Sequence, residues 1–193
     1  MARLKEFNEE DALDKAIAIF WNKGYNGTSA QDLVTHLGLS RSSLYDTFGD
    51  KHSLFIKALQ RYQKKSYDDV SSLLQKSLDI KETIKEMFAQ AILESFEDRI
   101  TKGCFMVNST VELAIHDAEI EKIVNDNRQK MEEVFFLAVK RGQELNQISS
   151  ATDPRLLARF IFNNYSGIRV LARSTGTPKQ VFDDVLKVLL SVL

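Results

Sequence analysis

Several features that are common in secreted and membrane-bound proteins are missing from this 193-residue chain. It has one cysteine, which excludes an internal disulfide framework and fits a reducing cytoplasm. It has no run of about 18 apolar residues that would cross a membrane, and its N-terminus lacks an apolar signal core. Two prolines and few alternating β-branched stretches favour an all-α fold. We therefore expect a cytoplasmic protein that does not contact membranes.

Motifs of the common enzyme classes are also missing. The sequence contains no G-x-S-x-G, no Walker loop, no H-E-x-x-H and no C-x-x-C. Its three histidines lack the carboxylate spacing of a metal cluster. Cys104 and His116 are too far apart along a helix to form a local catalytic pair. We expect neither enzymatic activity nor a bound cofactor or metal.

The most informative part of the chain contains two short helical patterns joined by a tight turn. Thr28 and Gln31 have the spacing of a capping box at the start of the first pattern, which a glycine then ends. Ser40 is a favourable N-cap for the second pattern, which runs from Arg41 to Phe48. This arrangement predicts a helix-turn-helix, although a plain helical hairpin has the same spacing.

The surface of the second short helix is suited to DNA. Leu44 and Phe48 lie four residues apart and should share its buried face. The other positions are Arg41, Ser42, Ser43, Tyr45, Asp46 and Thr47. Hydroxyls donate to phosphates or base edges, and an arginine can fork onto guanine. The first residues of such a helix enter the major groove.

The stretch from about Asn8 to Leu59 resembles the N-terminal DNA-binding domain of the tetracycline-repressor (TetR) family of bacterial transcriptional regulators. Its most specific part, residues 39–51, looks like the recognition helix followed by the turn and the lysine that open the fourth helix. The resemblance also includes Ala16, Phe20, Gly24, Tyr25, Leu33, Gly38, Leu54 and Phe55. It implies that Thr28, Tyr45 and Lys51 contact the phosphate backbone. The full set of expected DNA contacts is Thr28, Arg41, Ser42, Ser43, Tyr45, Thr47 and Lys51.

The helical patterns predict about nine helices in two domains. Residues 1–50 are expected to form a three-helix DNA-binding domain, and residues 51–193 a helical ligand-binding and dimerisation domain. The first helix should run from an N-cap at Asn8 to Lys23. Apolar periodicity predicts the later helices over about 54–75, 80–100, 103–116, 118–145, 154–171 and 181–193.

The charge of the N-terminal part departs from the basic patch that a DNA-binding domain usually shows. Residues 1–51 contain six Lys or Arg and eight Asp or Glu. Most of the acids lie at the start of the first helix, while basic residues follow between Lys51 and Lys65. Asp46 lies within the recognition helix, where it would repel phosphate. We expect weak non-specific DNA binding.

The last helix is apolar over most of its circumference, which predicts burial on more than one side. Its apolar residues are Val181, Phe182, Val185, Leu186, Val188, Leu189, Leu190, Val192 and Leu193. Burial within one subunit would explain this pattern, as would a homodimer interface formed by the last two helices. The resemblance favours the homodimer, because two recognition helices about 34–36 Å apart can read a pseudo-palindromic operator in double-stranded DNA.

The middle of the chain is rich in aromatic residues and methionine. Such side chains at helical spacing usually form a core, but in the TetR family the space among these helices often opens as a pocket for small, mostly apolar molecules. The ligand contacts expected on this basis are Phe88, Phe105, Asn108, Glu112, Phe135 and Asn163.

Cys104 lies in a segment, residues 103–114, that looks like one recurring in a large subgroup of these regulators. A helix N-terminus favours a reactive thiolate, so Cys104 is a candidate redox sensor. The alternative is that Cys104 is a small buried residue of the core.

These observations predict a homodimeric DNA-binding transcriptional regulator, a repressor that an unidentified small-molecule effector releases from a palindromic operator. The alternative is a helical dimer that binds a small molecule or a partner without DNA. The acidic balance of the N-terminal domain is the only support for this alternative. Salt-dependent binding to a short palindrome would separate the two.

Overall fold

The computed structural model describes residues 7–97, 103–174 and 176–193. Within these residues the chain forms nine α-helices and no strand, which confirms the all-α prediction. The helices are α1 (Glu9–Lys23), α2 (Ala30–Leu37), α3 (Arg41–Phe48), α4 (Lys51–Lys76), α5 (Ile80–Glu97), α6 (Phe105–Leu113), α7 (Ala118–Glu144), α8 (Pro154–Leu171) and α9 (Lys179–Val192). None of the helices in these ranges combines the length and the apolar composition that a bilayer crossing requires.

The helix ends follow the capping residues in the sequence. The side chain of Asn8 accepts a hydrogen bond from the first turn of α1, and Ser40 does the same for α3. Gly24 and Gly38 end α1 and α2 with φ of 76° and 70°, in the left-handed region that favours glycine. The predicted starts and ends of α1 and α3 and the predicted end of α2 are confirmed.

The capping box of α2 lies one residue later than the sequence pattern suggested. Ser29 is the N-cap and accepts from the backbone N–H of Asp32, whose carboxylate accepts from the backbone N–H of Ser29. Thr28 is fully buried, and its hydroxyl donates to the carbonyl oxygen of Gly24 at 2.6 Å. The expected Thr28 capping box is therefore wrong, because the Thr28 hydroxyl closes the preceding turn instead.

The N-terminal helices share a core with parts of the chain that are distant in sequence. Phe55 of α4 lies at the centre of this core and is 1% exposed. Its ring meets those of Phe20, Tyr25 and Phe105 edge-on, with centroid distances of 5.0, 5.1 and 5.4 Å. We call these four rings the aromatic cluster. Because Phe105 belongs to α6, the helix-turn-helix is packed directly against the C-terminal part of the chain.

A second core joins α5, α7, α8 and α9 to the C-terminal half of α4. Helix α9 contributes Phe182 and Leu189, which are 1% and 0% exposed. The other side of α9 carries Val181, Val188 and Val192, which remain exposed in the single chain. One face of α9 is therefore buried within the subunit, while an apolar face remains on the surface.

Candidate nucleic-acid interface and ligand cavity

Helix α3 separates a buried apolar face from an accessible polar face, as its sequence predicts. Leu44 and Phe48 are 1% and 2% exposed and pack into the N-terminal core. The accessible side chains are Arg41, Ser42 and Asp46, which are exposed, and Ser43, Tyr45 and Thr47, which are partly exposed. The polar face of α3 is therefore available to a partner.

The first turn of α3 is held by hydroxyl groups. Ser40 Oγ accepts from the backbone N–H of Ser43 at 3.1 Å and donates to Ser43 Oγ at 2.8 Å. The guanidinium of Arg41 lies 5.8 Å from the ring centroid of Tyr45, within the range of a cation–π contact. A helix N-terminus with free N–H groups and neighbouring hydroxyls attracts anions such as phosphate.

Lys51, at the start of α4, lies against an aromatic ring. Its Nζ is 4.3 Å from the ring centroid of Tyr25. Partial burial lowers the pKa of Lys51, and the nearby Glu112 carboxylate opposes that shift. Burial also raises the pKa of Tyr25, together with the charges of Asp50 and Asp117. Lys51 is thus a packed residue at the edge of the helix-turn-helix and not a freely extended surface lysine.

Thr28, one of the expected phosphate contacts, does not lie on this surface. Its side chain has 0% exposure and its hydroxyl is used by Gly24, so no part of it can reach a phosphate. The neighbouring Ser29 is exposed at the N-terminus of α2, where the sequence pattern predicted Thr28. The spacing of Ser29 and Asp32 was the signal that could have identified it.

Many acids of the N-terminal part are paired within the chain. Asp32 lies 2.6 Å from Lys23, and hydrogen bonds from Lys23 and Ser29 hold the pKa of Asp32 well below its usual range. Arg61 of α4 binds Asp14 through two hydrogen bonds of 2.8 and 2.9 Å. Asp46 is exposed and has no ion pair with any residue in the described ranges. Acidic charge near α3 is therefore smaller than the residue count suggests.

Glu112 of α6 binds the turn that follows α1. Its two carboxylate oxygens accept the backbone N–H groups of Tyr25 and Asn26 at 3.1 and 2.8 Å. A Cβ at Gly24 would lie 2.8 Å from Glu112 Oε2, so this close approach requires glycine. His52 of α4 adds a second link to this region, because its Nε2 is 2.7 Å from the carboxylate of Asp117, the N-cap of α7.

A cavity of about 250 Å³ lies among α4, α6, α7 and α8. Its apolar wall includes Met106, Val107, Met131 and Phe162, and its polar wall includes Tyr62, Asn127 and Arg169. A concave apolar surface with a few polar groups is the usual form of a small-molecule site.

The six expected ligand contacts lie outside the lining of this cavity. Phe88 and Phe135 are fully buried in the C-terminal core, and Phe105 belongs to the aromatic cluster. Asn163 is exposed on α8, Asn108 is partly exposed on α6, and Glu112 binds the turn after α1. Ligand binding through these six residues stays a prediction, and the geometry points to a different set.

Cys104 forms part of the cavity wall. It is partly buried at the N-cap of α6, and its Sγ lies 3.6 Å from the hydroxyl of Tyr62. Burial raises the pKa of Tyr62 well above its usual value, and Cys104 adds to the shift. Any group attached to Cys104 would therefore enter or border the cavity.

Comparison with known proteins gives matches over most of the chain. Residues 12–58 match the model of the bacterial regulatory proteins of the tetR family, and residues 81–185 match the tetracyclin repressor-like C-terminal domain. The HTH-type transcriptional regulator YezE of Bacillus subtilis (strain 168) is 32% identical over 194 residues, with 100% of each chain covered. The HTH-type transcriptional repressor ComR of Escherichia coli (strain K12) is 30% identical over 173 residues, covering 89% of this chain and 82% of ComR.

Solved structures share the fold. A cysteine mutant of the TetR family regulator CifR, complexed with 26-base-pair operator DNA, has a TM-score of 0.83 at 23% identity, with 98% of both chains covered. The reduced form of NemR from E. coli has a TM-score of 0.85 at 15% identity, with 95% of both chains covered. At these identities the likeness concerns the fold alone.

Proposed function

The chain belongs to the tetR family of bacterial regulatory proteins and is a helix-turn-helix transcriptional regulator, and from this premise we propose that it acts as a repressor. In this proposal a homodimer binds a pseudo-palindromic operator in double-stranded DNA, and a small-molecule effector releases it. The names of the relatives support repression, since ComR and DhaR are both HTH-type transcriptional repressors.

The accessible face of α3 is the observation that carries the proposal. Arg41 and Ser42 are exposed on α3 and Thr47 is partly exposed, whereas the leucine and phenylalanine of this helix are buried. We infer that these side chains, with Ser43, face bases or adjacent phosphates, and that Tyr45 and Lys51 bind the phosphate backbone. Ser29 replaces Thr28 as the proposed phosphate contact at the start of α2.

We also propose a division of the chain and a place for its activity. Residues 1–50 read DNA, while residues 51–193 hold the effector and form the dimer. We propose further that the protein belongs to a subgroup with a Gly-Cys-Phe-Met-Val-Asn sequence, and the sequence of the segment 103–114 supports this assignment. Regulation of transcription requires no catalysis, and the protein acts in the cytoplasm, where bacterial DNA lies.

The homodimer is supported by apolar side chains that remain uncovered on the last two helices. On α8, Leu156, Phe160 and Val170 are 57%, 39% and 50% exposed, and they recur at helical spacing. On α9, Val181, Val188 and Val192 continue the apolar surface. An apolar surface of this kind commonly marks an interaction site. We propose that it pairs with the same surface of a second copy.

In the proposed mechanism, the effector changes the separation of the two recognition helices. Helix α4 begins in the N-terminal core and ends in the C-terminal core, so its tilt sets the position of the helix-turn-helix. The effector shifts the balance between two states only as far as its affinities for them differ.

Modification of Cys104 is a second candidate signal. The thiol borders the same cavity, so a bulky adduct would occupy the space proposed for the effector. If Cys104 is a sensor, iodoacetamide should react with it at least as fast as with a free thiol at the same pH. A much slower reaction would support its role as a packing residue and remove the sensor hypothesis.

We predict that Arg41→Ala, Tyr45→Phe and Lys51→Met each reduce operator affinity by about tenfold. Tyr45→Phe retains the ring that packs against the N-terminal core and removes only the hydroxyl. Lys51→Met retains an unbranched side chain that can cover the ring of Tyr25. It should reduce the slope of log affinity against log salt concentration by about one in magnitude. Binding would be measured by fluorescence anisotropy on an operator selected from random DNA.

The control for these variants is Lys85→Met, which removes an exposed lysine paired with Glu82 on α5. It should leave operator affinity unchanged. Parent-like binding by all three test variants would contradict the assigned contacts. If the parent protein shows neither salt-dependent binding nor a protected palindrome, the helical dimer that does not bind DNA becomes the better explanation.

We predict that Phe160→Glu and Val188→Glu yield folded monomers with weak operator binding. Both positions are exposed in the single chain, so charge there should disrupt only the dimer, measured by sedimentation equilibrium. Leu78→Glu, at a position that is 94% exposed, is the matched control and should remain dimeric. Leu189 would be a poor test, since it is fully buried within the subunit. Unchanged dimers in both variants would refute this interface.

A further inference from the structure

The side-chain amide of Asn127, in the wall of the cavity, is not used by any residue that the structure describes. Asn127 of α7 is 8% exposed and lines the cavity. Its side chain makes no hydrogen bond with any residue that the structure describes. The amide nitrogen and oxygen of Asn127 are not closed off from solvent. A ligand that enters the cavity can therefore form hydrogen bonds with them.

The charged side chains of the cavity are already compensated. Arg169 donates to Glu94 at 2.8 Å and to the Tyr165 hydroxyl at 2.9 Å. Arg128 donates to Glu132 at 2.8 Å. A charged ligand would lose its hydration without gaining an unpaired charge of opposite sign. The electrostatics therefore favour an uncharged ligand.

The volume of the cavity and its apolar wall limit the size and the polarity of the ligand. Met106, Val107, Met131 and Phe162 present apolar surface, and methionine side chains adapt to ligand shape. A cavity of about 150 Å³ is enough for benzene. The 250 Å³ found here therefore suits one ring, or a short chain, with a small substituent.

We propose that the effector is a small uncharged molecule with one ring or short chain and one amide or carbonyl group, which pairs with the amide of Asn127. This inference rests on the proposed effector site and names the chemical class that occupies it. The ligand's apolar part lies against the methionines and Phe162, while its carbonyl oxygen accepts from the Asn127 amide.

Three ring compounds of similar size test this proposal: benzamide, benzoate and ethylbenzene. Isothermal titration with the full-length protein should show saturable benzamide binding, at least about tenfold tighter than benzoate. Leucine has a volume similar to that of asparagine. Asn127→Leu should bind benzamide about tenfold more weakly than the parent does, and it should bind ethylbenzene equally tightly or more tightly. Asn125→Leu, at an exposed position on the rim of the same cavity, is the matched control and should bind benzamide like the parent.

Benzamide should also slow the alkylation of Cys104 by iodoacetamide, because the thiol shares the cavity wall. Benzoate binding that equals or exceeds benzamide binding would overturn the proposal in the parent protein alone, even if Asn127→Leu failed to fold. The proposal would also be overturned if folded Asn127→Leu bound benzamide as tightly as the parent does. The same holds if benzamide left the alkylation rate of Cys104 unchanged. Operator affinity is measured separately. If benzamide binds as expected but leaves operator binding unchanged, the ligand class stands and release by this effector fails.

A second inference concerns Glu112 and rests on a different observation. Val107, Thr110 and Val111 of α6 line the cavity, while Glu112 of the same nine-residue helix binds two backbone N–H groups in the turn after α1. We infer that Glu112 is a positioning residue, which fixes the orientation of the helix-turn-helix relative to the cavity.

The spacing between operator half-sites tests the role of Glu112, because a loosened helix-turn-helix should tolerate a changed spacing. The parent protein should lose about a hundredfold in affinity when two base pairs are inserted between the half-sites. Glu112→Ala should reduce this loss to about tenfold or less, and Glu112→Gln, which keeps one acceptor oxygen, should be intermediate. Glu82→Ala on α5 is the control and should behave like the parent.

If the inserted base pairs reduced the operator affinity of the parent and of Glu112→Ala by the same factor, the positioning role would be refuted. Failure of the parent to bind any palindrome would instead count against the proposed function. Circular dichroism and sedimentation should be used to establish that each variant is folded and dimeric, so that a general loss of structure cannot imitate the expected result.

Discussion

The DNA-facing surface is carried by two helices of eight residues each, which are too short to be stable alone. Their core is completed by Phe55 from α4 and Phe105 from α6, whose rings meet edge-on. Both rings are almost fully buried, and truncation of such a ring typically costs about 3–5 kcal/mol. The helix-turn-helix therefore depends for its stability on the same elements that form the cavity. A change in α4 or α6 must reach the recognition helix, because no independent core insulates it.

Polar contacts determine the orientation of this junction, while the aromatic cluster provides its stability. Glu112 accepts two backbone N–H groups, and His52 contacts Asp117 at the start of α7. Hydrogen bonds have narrow distance and angle requirements, whereas apolar packing tolerates sliding. The geometry around Gly24 shows how close the approach is, since any Cβ there would collide with the Glu112 carboxylate. These contacts hold the helix-turn-helix firmly against α6 and α7 and in one orientation. A contact that transmits a change between the cavity and α3 requires both properties.

Two acidic side chains of the N-terminal part also bind partners within the chain. Asp14 and Asp32 are bound to Arg61 and Lys23, so these pairs connect α1 to α4 and to α2. Exposed ion pairs of this kind contribute little to stability, but they remove negative charge from the field that DNA would meet. The excess of acidic residues in the N-terminal part is consequently weaker evidence against DNA binding than the residue count alone suggests. Asp46 remains an exposed acid on α3.

The sequence by itself determined the helices and the character of their faces. Asn8, Ser40 and the glycines after α1 and α2 act locally, so their effects could be read from neighbouring residues. The identity of α3 and its polar face was likewise a local property. The burial of Thr28, the turn bound by Glu112 and the place of Asn127 in the cavity wall were decided only by tertiary structure. Each depends on residues far apart in the chain, and the spacing of residues within one helix carries no information about which distant helix it will meet.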